Sequence, residues 1–213
     1  MTAEARVFVV DDDADVRASI RALLEAAGVA VETYESATAL LARGESFGRG
    51  CVVADIRMPD MDGLELQEEL TRRGIRLPVI IVTGHGDVAL AVRAMKAGAV
   101  DFIEKPFDAD LLLDSIRRAF EVGERVQAQA SEARAAVEVI AQLTERERQV
   151  LEHLIAGQSN KVIAYELGIS PRTVEIHRAR VMEKLRARSL SDLVRLGFAA
   201  GIASHSGPGI GHP

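Results

Sequence analysis

Five polar residues stand where short apolar stretches end. Asp11 and Asp12 follow Arg6–Val10, Asp55 follows Cys51–Ala54, Thr83 ends Pro78–Thr83, and Lys105 comes just after Val100–Ile103. Three carboxylates brought to one rim repel each other unless a cation sits among them. Oxygen ligands without a Cys or His partner favour Mg²⁺, which keeps several waters and accepts a phosphoryl oxygen. A lysine opposite such a cluster is suited to hold one phosphoryl oxygen, and a threonine hydroxyl to hold another. The chemistry this set can do is attack by Asp55 on phosphorus, giving an acyl phosphate.

These residues need elements that bring them to one edge. Arg6–Val10, Val29–Tyr34, Cys51–Asp55, Pro78–Thr83 and Val100–Ile103 read as strands,. Between them lie helical patterns over Asp15–Ala27, Ala37–Arg43, Leu64–Arg73 and Val88–Ala97, and another opens at Asp108,. Strand and helix alternate five times, so a five-stranded parallel, doubly wound α/β sheet is expected. In such sheets ligands bind at the carboxyl ends of strands, where the five polar residues fall.

The 213 residues leave room for two small domains,. The net charge of −6 divides unevenly: residues 1–125 carry −8 and residues 126–213 carry +2. Within 170–195 there are 7 basic residues against 3 acidic. An acidic first part and a locally basic second part point to a cation site and a nucleic-acid site. The single cysteine, Cys51, permits no internal disulfide and reads as inert packing in a buried strand,. No apolar stretch is long enough to span a membrane, and residues 1–6 lack the apolar core of a signal peptide, so a cytoplasmic location without membrane partners is expected,.

After residue 122 the helical pattern resumes. Val122, Val126, Ala130, Ala133, Val137 and Ile140 are spaced like a short heptad stripe, with Gly123 the only breaker,. A weak coiled coil and a solvated helical linker rich in Ala, Glu and Gln are both open. Helical throughout, Asp108–Gln142 would reach roughly 50 Å. Thr144 and Glu147 fit a capping box, and helices are expected over Arg148–Ala156, Asn160–Leu167, Arg172–Leu185 and Ser191–Ala200,. Ser170-Pro171 is a cap plus a proline at the first helical position,. Leu167-Gly168-Ile169-Ser170 is a tight connection into a helix carrying Arg172, Arg178, Arg180 and Lys184, the layout that places a helix in a DNA major groove,.

Asp11-Asp12, Asp55, Thr83 and Lys105-Pro106 resemble the signature of bacterial response-regulator receiver domains, over residues 4 to about 122. The resemblance implies a flavodoxin-like fold, with Asp55 accepting phosphate from a histidine kinase. Mg²⁺ would be held by Asp11, Asp12, Asp55 and the backbone carbonyl of Arg57. Lys105 and Thr83 would contact the phosphoryl group, and Thr83 and Phe102 would act as the switch hydroxyl and aromatic. Leu143-Thr-Glu-Arg-Glu, Asn160-Lys161-x-Ile-Ala and Ser170-x-Arg-Thr-Val-Glu-x-His resemble the LuxR-type helix–turn–helix, over about 140–200. Receiver and helix–turn–helix together resemble the NarL/FixJ subclass, with residues 83–107 and 143–178 nearest the FixJ branch. The implied organisation is a receiver at 1–122, a helical linker at 123–140, a four-helix DNA-binding domain at 141–201 and a disordered tail at 202–213.

By position, Lys161, Arg172, Thr173, His177 and Arg178 are expected near DNA phosphates, with Lys184 on the same basic helix. Glu175, Ile176, Ala179 and Arg180 would face base edges. Val174, Val181 and Leu185 would be core, and Leu190, Leu193, Val194 and Leu196 would either complete that core or form a dimer face. On phosphorylation, Thr83 would be drawn inward, Phe102 would rotate, and a surface of Val88, Ala91, Val92, Met95 and Val100 would pair with a second copy. The expected partners are a cognate kinase, promoter DNA, a second copy and RNA polymerase.

Blander readings account for other residues. Asp13, Asp15, Asp60 and Asp62 read as loop or capping residues, and His85, His205 and His212 as solvated,. An enzyme using Asp55 as nucleophile, a phosphohydrolase, would carry a second acid two positions later. Arg57 stands there, and no substrate cap is evident. A third reading makes the receiver a vestigial dimerisation module, against which the intact acidic pair and Lys105 speak.

Overall fold

The computed structural model describes residues 5–44, 47–84 and 88–202. It divides into two units, one up to Gln127 and one from Ala128. The first alternates strand and helix: β1 (Arg6–Val10), α1 (Ala14–Ala26), β2 (Ala30–Tyr34), α2 (Ala37–Leu41), β3 (Gly50–Asp55), α3 (Gly63–Arg72), β4 (Val79–Thr83), α4 (Val88–Lys96), β5 (Asp101–Glu104) and the first part of the long α5 (Ala109–Ile140), whose last turns belong to the second. The strands form one parallel sheet in the order β2-β1-β3-β4-β5, the doubly wound arrangement the alternation predicts.

Side-chain alternation along the strands builds two apolar layers. Phe8, Val10, Val52, Ala54 and Ile81 face one way and pack with Leu40, Leu66, Leu70 and Ala94. Val7, Val9, Cys51, Val53 and Val82 face the other and pack with Ile20, Leu24, Leu112 and Ile116. β4 is buried at all its positions and β3 at all but Gly50, which is why both read as unbroken apolar runs,. Cys51 is buried in this packing, and burial pushes its thiol up to about 12, so it is unreactive,.

The expected caps appear. The Asp13 carboxylate accepts from the backbone N–H groups of Asp15 and Val16, and Asp62 and Glu65 form a capping box on α3,. β5 begins one residue later than expected. The Val100 N–H donates to the Val79 carbonyl, and the Val100 side chain is half-buried against the layer under α1 and α5. Val100 therefore lies apart from the α4 face with which the sequence groups it. His85, read from the sequence as a solvated residue, falls with residues 86–87 outside the described residues.

α5 runs unbroken through Gly123. A Cβ there would stand 3.3 Å from Pro78 Cγ, so the glycine serves close packing and breaks nothing. The expected heptad stripe is one residue out of register near its end: Ala136 is buried and Val137 exposed. Ile140, expected as linker, joins the core of the second unit.

That unit contains α6 (Glu145–Ile155), α7 (Asn160–Leu167), α8 (Pro171–Lys184) and α9 (Leu190–Ala199) around Val150, Leu151, Ile163, Val174, Val181 and Leu193. Thr144 and Glu147 form the expected capping box. Gly168 ends α7 at φ +65°, a left-handed conformation that makes the tight turn into α8 cheap for glycine alone,. α9 starts earlier than expected, because Ser189 caps it in a box with Asp192. Ile202 packs on the core and so does not belong to the tail; residues 203–213, with His205 and His212, lie outside the described residues.

Candidate functional site

β1 and β3 are neighbours with Val10 paired to Ala54, so Asp11 and Asp55 leave the sheet side by side. β4 places buried Thr83 on the next strand. The Lys105 N–H donates to the Thr83 carbonyl at 2.7 Å, which fixes the lysine to the same rim. Its ammonium lies 2.7 Å from Asp11 Oδ2 and 2.7 Å from Asp55 Oδ1. Both carboxylates are buried, and the lysine is mostly so. Burial works against its charge, yet hydrogen bonds to Asp11 and Asp55 outweigh this and hold its pKa above the ordinary lysine value,.

The backbone completes the setting. Asp55 Oδ2 accepts from the Arg57 N–H at 2.6 Å, and Asp11 Oδ1 accepts from the Asp13 N–H at 2.9 Å. Gly63 approaches closest. A Cβ there would stand 2.4 Å from the Asp55 carbonyl oxygen, so α3 can start against the Asp55 backbone only with glycine. Gly63 is the first residue of α3, and this steric role emerges only in three dimensions.

The cation-binding expectation can be tested on this donor set. Asp11, Asp55 and the Arg57 carbonyl are hard oxygen donors, which fits Mg²⁺. Asp12 is exposed, and its carboxylate makes no hydrogen bond among the described residues. Among those residues no three acidic, His or Cys side chains converge as a metal cluster. Lys105 bridges Asp11 and Asp55 in the place where opposite charge is needed. Phe102 is half-buried against the α2–α3–α4 layer. On α4, Val88, Val92 and Met95 are exposed and Ala91 is half-buried.

In the second unit, Val174, Val181 and Leu185 are buried as expected. Arg172, Glu175, Ile176, Ala179 and Arg180 are exposed on α8, and Lys161 on α7. Thr173, His177 and Arg178 are half-buried at the margins of that face. The Thr173 hydroxyl hydrogen-bonds Ser170, and His177 Nδ1 is buried without a hydrogen bond among the described residues. Lys184 is engaged within the domain: its ammonium donates to buried Glu147 at 2.6 Å. α9 divides the four apolar residues left open by the sequence. Leu193 and Leu196 pack in the core, while Leu190 and Val194 line an outer groove with Phe198, an exposed aromatic the sequence reading passed over.

Residues 7–117 match the response regulator receiver domain, and residues 141–197 match the luxR family of bacterial regulatory proteins. The chain is 52% identical over 201 residues to the transcriptional regulatory protein FixJ of Azorhizobium caulinodans, covering 92% of this chain and 93% of that one. It is 48% identical over 202 residues to FixJ of Bradyrhizobium diazoefficiens, covering 95% and 98%. The chain belongs to the NarL/FixJ family of response regulators. These FixJ-like proteins join a receiver to a LuxR-type DNA-binding domain and regulate transcription in two-component systems. Among solved structures, the response regulator StyR matches with a TM-score of 0.74 at 46% identity, over 91% of this chain and 98% of StyR. Full-length FixJ of B. japonicum matches with a TM-score of 0.56 at 48% identity, over 95% and 100%. No described helix is long and apolar enough to cross a membrane.

Proposed function

We propose that Asp55 is the phosphoacceptor of this response regulator and that its phosphorylation by a cognate histidine kinase in the cytoplasm promotes dimerisation and sequence-specific binding to promoter DNA. The observation that carries the proposal is the placement of Asp55 at the end of β3, buried and 2.7 Å from Lys105, in a chain that also carries the LuxR-type domain. An Asp55 carboxylate oxygen bonds to phosphorus as the bond from phosphorus to the kinase imidazole nitrogen breaks. Lys105 passes one of its hydrogen bonds from Asp55 to a phosphoryl oxygen, so its charge stays compensated. Thr83 donates its hydroxyl to a second oxygen. Asp11, Asp12, Asp55 and the Arg57 carbonyl would hold Mg²⁺, which neutralises phosphoryl charge when bound. Phe102 follows Thr83 inward, and α4, through Val88, Ala91, Val92 and Met95, pairs with a second copy. Two recognition helices then bind two half-sites with the avidity of a dimer. In each DNA-binding unit, Lys161 of α7 and Arg172, Thr173, His177 and Arg178 of α8 meet phosphates, Glu175, Ile176, Ala179 and Arg180 meet base edges, and RNA polymerase is the downstream partner.

Binding to a candidate promoter, with and without acetyl phosphate and Mg²⁺, tests this against Asp55→Asn. Tightening in the wild type alone supports the phospho-switch. Equal binding throughout leaves the DNA-binding reading and removes the switch. The phosphohydrolase reading has no support beyond the nucleophile, since Arg57 occupies the position of its second acid.

A further inference from the structure

α4 has little purchase on its unit. Ala94 is its one buried side chain, Leu90 is half-buried against the same layer, and Val88, Val92 and Met95 face solvent, Val88 at 82% exposure. An element with so few buried contacts sits near the low end of local stability. One polar contact then weighs heavily. Gln67 of α3 is buried at 4% exposure, and its Nε2 donates at 2.8 Å to the carbonyl of Ala97, the residue just past α4. That carbonyl is among those a helix leaves unbonded at its C-terminus. Around it the chain turns back tightly: the Gly98 N–H donates to the Met95 carbonyl and the Ala99 N–H to the Ala94 carbonyl, with Gly98 at φ +95°. α4 is therefore pinned to α3 at its C-terminal end, at the opposite end from Val88.

The other half of the same amide is not satisfied. Gln67 Oε1 is buried with no hydrogen-bond partner among the described residues. A buried acceptor without a donor costs free energy, and a leucine of similar shape would not incur that cost. The amide is thus a poor device for stability alone. The Nε2 bond joins α3 to the residue that follows α4, so it depends on where α4 lies.

We infer that Gln67 is a positioning residue that holds α4 in the resting arrangement and so sets how strongly the unphosphorylated receiver resists pairing. This rests on the phospho-switch reading above. If α4 must shift against α3 for its apolar face to meet a second copy, the bond to Ala97 is lost in the shift and adds to the gap between the two states. Ala97 is exposed, so its released carbonyl is taken up by water. Removing the bond moves the equilibrium toward the pairing-competent state, by an amount set by one neutral hydrogen bond.

The test compares wild type, Gln67→Leu and Gln67→Met in the full-length chain. Association is measured by analytical ultracentrifugation with and without acetyl phosphate and Mg²⁺, alongside the phosphorylation rate at Asp55 and the Tm. The expected result is a Tm equal to or above wild type, an unchanged phosphorylation rate, and self-association without phosphate strengthened roughly three- to tenfold. The ratio of phosphorylated to unphosphorylated association then falls by the same factor in both variants. An unchanged ratio in variants that fold and are phosphorylated overturns the inference while leaving the phospho-switch intact. A fallen Tm with an unchanged ratio assigns Gln67 a structural role and overturns it as well. Absence of phosphate-dependent association in the wild type removes both readings. Should Gln67→Leu fail to fold, Gln67→Met decides on the same criteria.

Discussion

The Lys105 ammonium stands at the same 2.7 Å from Asp11 Oδ2 and Asp55 Oδ1, carboxylates that come from two adjacent strands. One cation thus compensates two buried anions, and removing it leaves like charges facing each other. Lys105→Met should keep the shape and lose that compensation. Thermal melts with and without Mg²⁺ read the result. The variant should be less stable than wild type without Mg²⁺ and gain more from it, since a ligand that binds the folded state alone adds about 2.7 kcal/mol at a hundredfold excess over its Kd. Asp12→Ala should reduce the gain in both backgrounds. Equal shifts in wild type, Lys105→Met and Asp12→Ala would remove these carboxylates from the cation site.

Gly63 sets how close α3 comes to Asp55. A methyl group 2.4 Å from the Asp55 carbonyl oxygen cannot be absorbed by a side-chain rotation, because both parties are backbone. Gly63→Ala should cost about 1–3 kcal/mol of stability, as overpacking does, and slow phosphorylation by acetyl phosphate by displacing Asp55. Urea unfolding and a phosphorylation time course check the two effects. Wild-type behaviour in both would show that α3 can retreat without disturbing the site.

The receiver site was legible in the sequence because a parallel sheet sends the ends of its strands to one rim. Once the strands ending at Val10, Asp55 and Thr83 were recognised, the meeting of Asp11, Asp55, Thr83 and Lys105 followed from topology. Roles that depend on packing between distant segments were not legible. Gln67 sits in an amphipathic helix like any polar residue, and nothing nearby in sequence points to Ala97, 30 positions away. Lys184 read as one more cation on a basic helix because its partner Glu147 lies 37 positions earlier and on another helix. Val100 was grouped with α4 as part of one outer surface, and only the packing shows its side chain against the layer under α1 and α5.

The pairing of Lys184 with Glu147 has a pH signature. The hydrogen bond from Lys184, then that from the Thr144 N–H, holds the Glu147 carboxyl at about 2, against 4.5 when free. A depressed carboxyl stabilises the fold above its unfolded pKa, and that contribution is lost as pH falls through the folded one. Stability of the DNA-binding unit should therefore decline between about pH 4.5 and pH 2 in the wild type, and less steeply in Glu147→Gln. Denaturant titrations across that range, followed by circular dichroism, measure the slope. Identical slopes would show that the pair carries no linkage.

The same pair separates Lys184 from the DNA contacts proposed beside it. A lysine that neutralises a phosphate contributes about 0.9 to the slope of log affinity against log salt. Lys184→Met should lower Tm and leave that slope unchanged, because its ammonium is already committed to Glu147. Arg172→Ala should leave Tm near wild type and flatten the slope by about that unit. Salt titrations of promoter binding by fluorescence anisotropy distinguish the two. A flatter slope for Lys184→Met would mean that the lysine leaves Glu147 when DNA binds.

Ile176 is the apolar residue in the middle of the exposed face of α8, at 48% exposure, with Val174 and Val181 turned into the core behind it. An exposed isoleucine between Arg172 and Arg180 has no packing reason to be there. In a major groove its natural partner is the C5-methyl group of thymine, the one apolar feature on a base edge. Replacing thymine with uracil, one position at a time, removes only that methyl. At one position of each half-site the wild type should lose about 0.8 kcal/mol, close to fourfold in affinity. Ile176→Ala should bind the thymine operator more weakly and no longer distinguish uracil there. Substitutions elsewhere should affect both proteins alike, which makes the missing discrimination, rather than the overall loss, the decisive reading. If Ile176→Ala still distinguishes thymine from uracil at every position, Ile176 touches no methyl, and the rotation of α8 in the groove must bring Glu175 or Ala179 to the base edges instead.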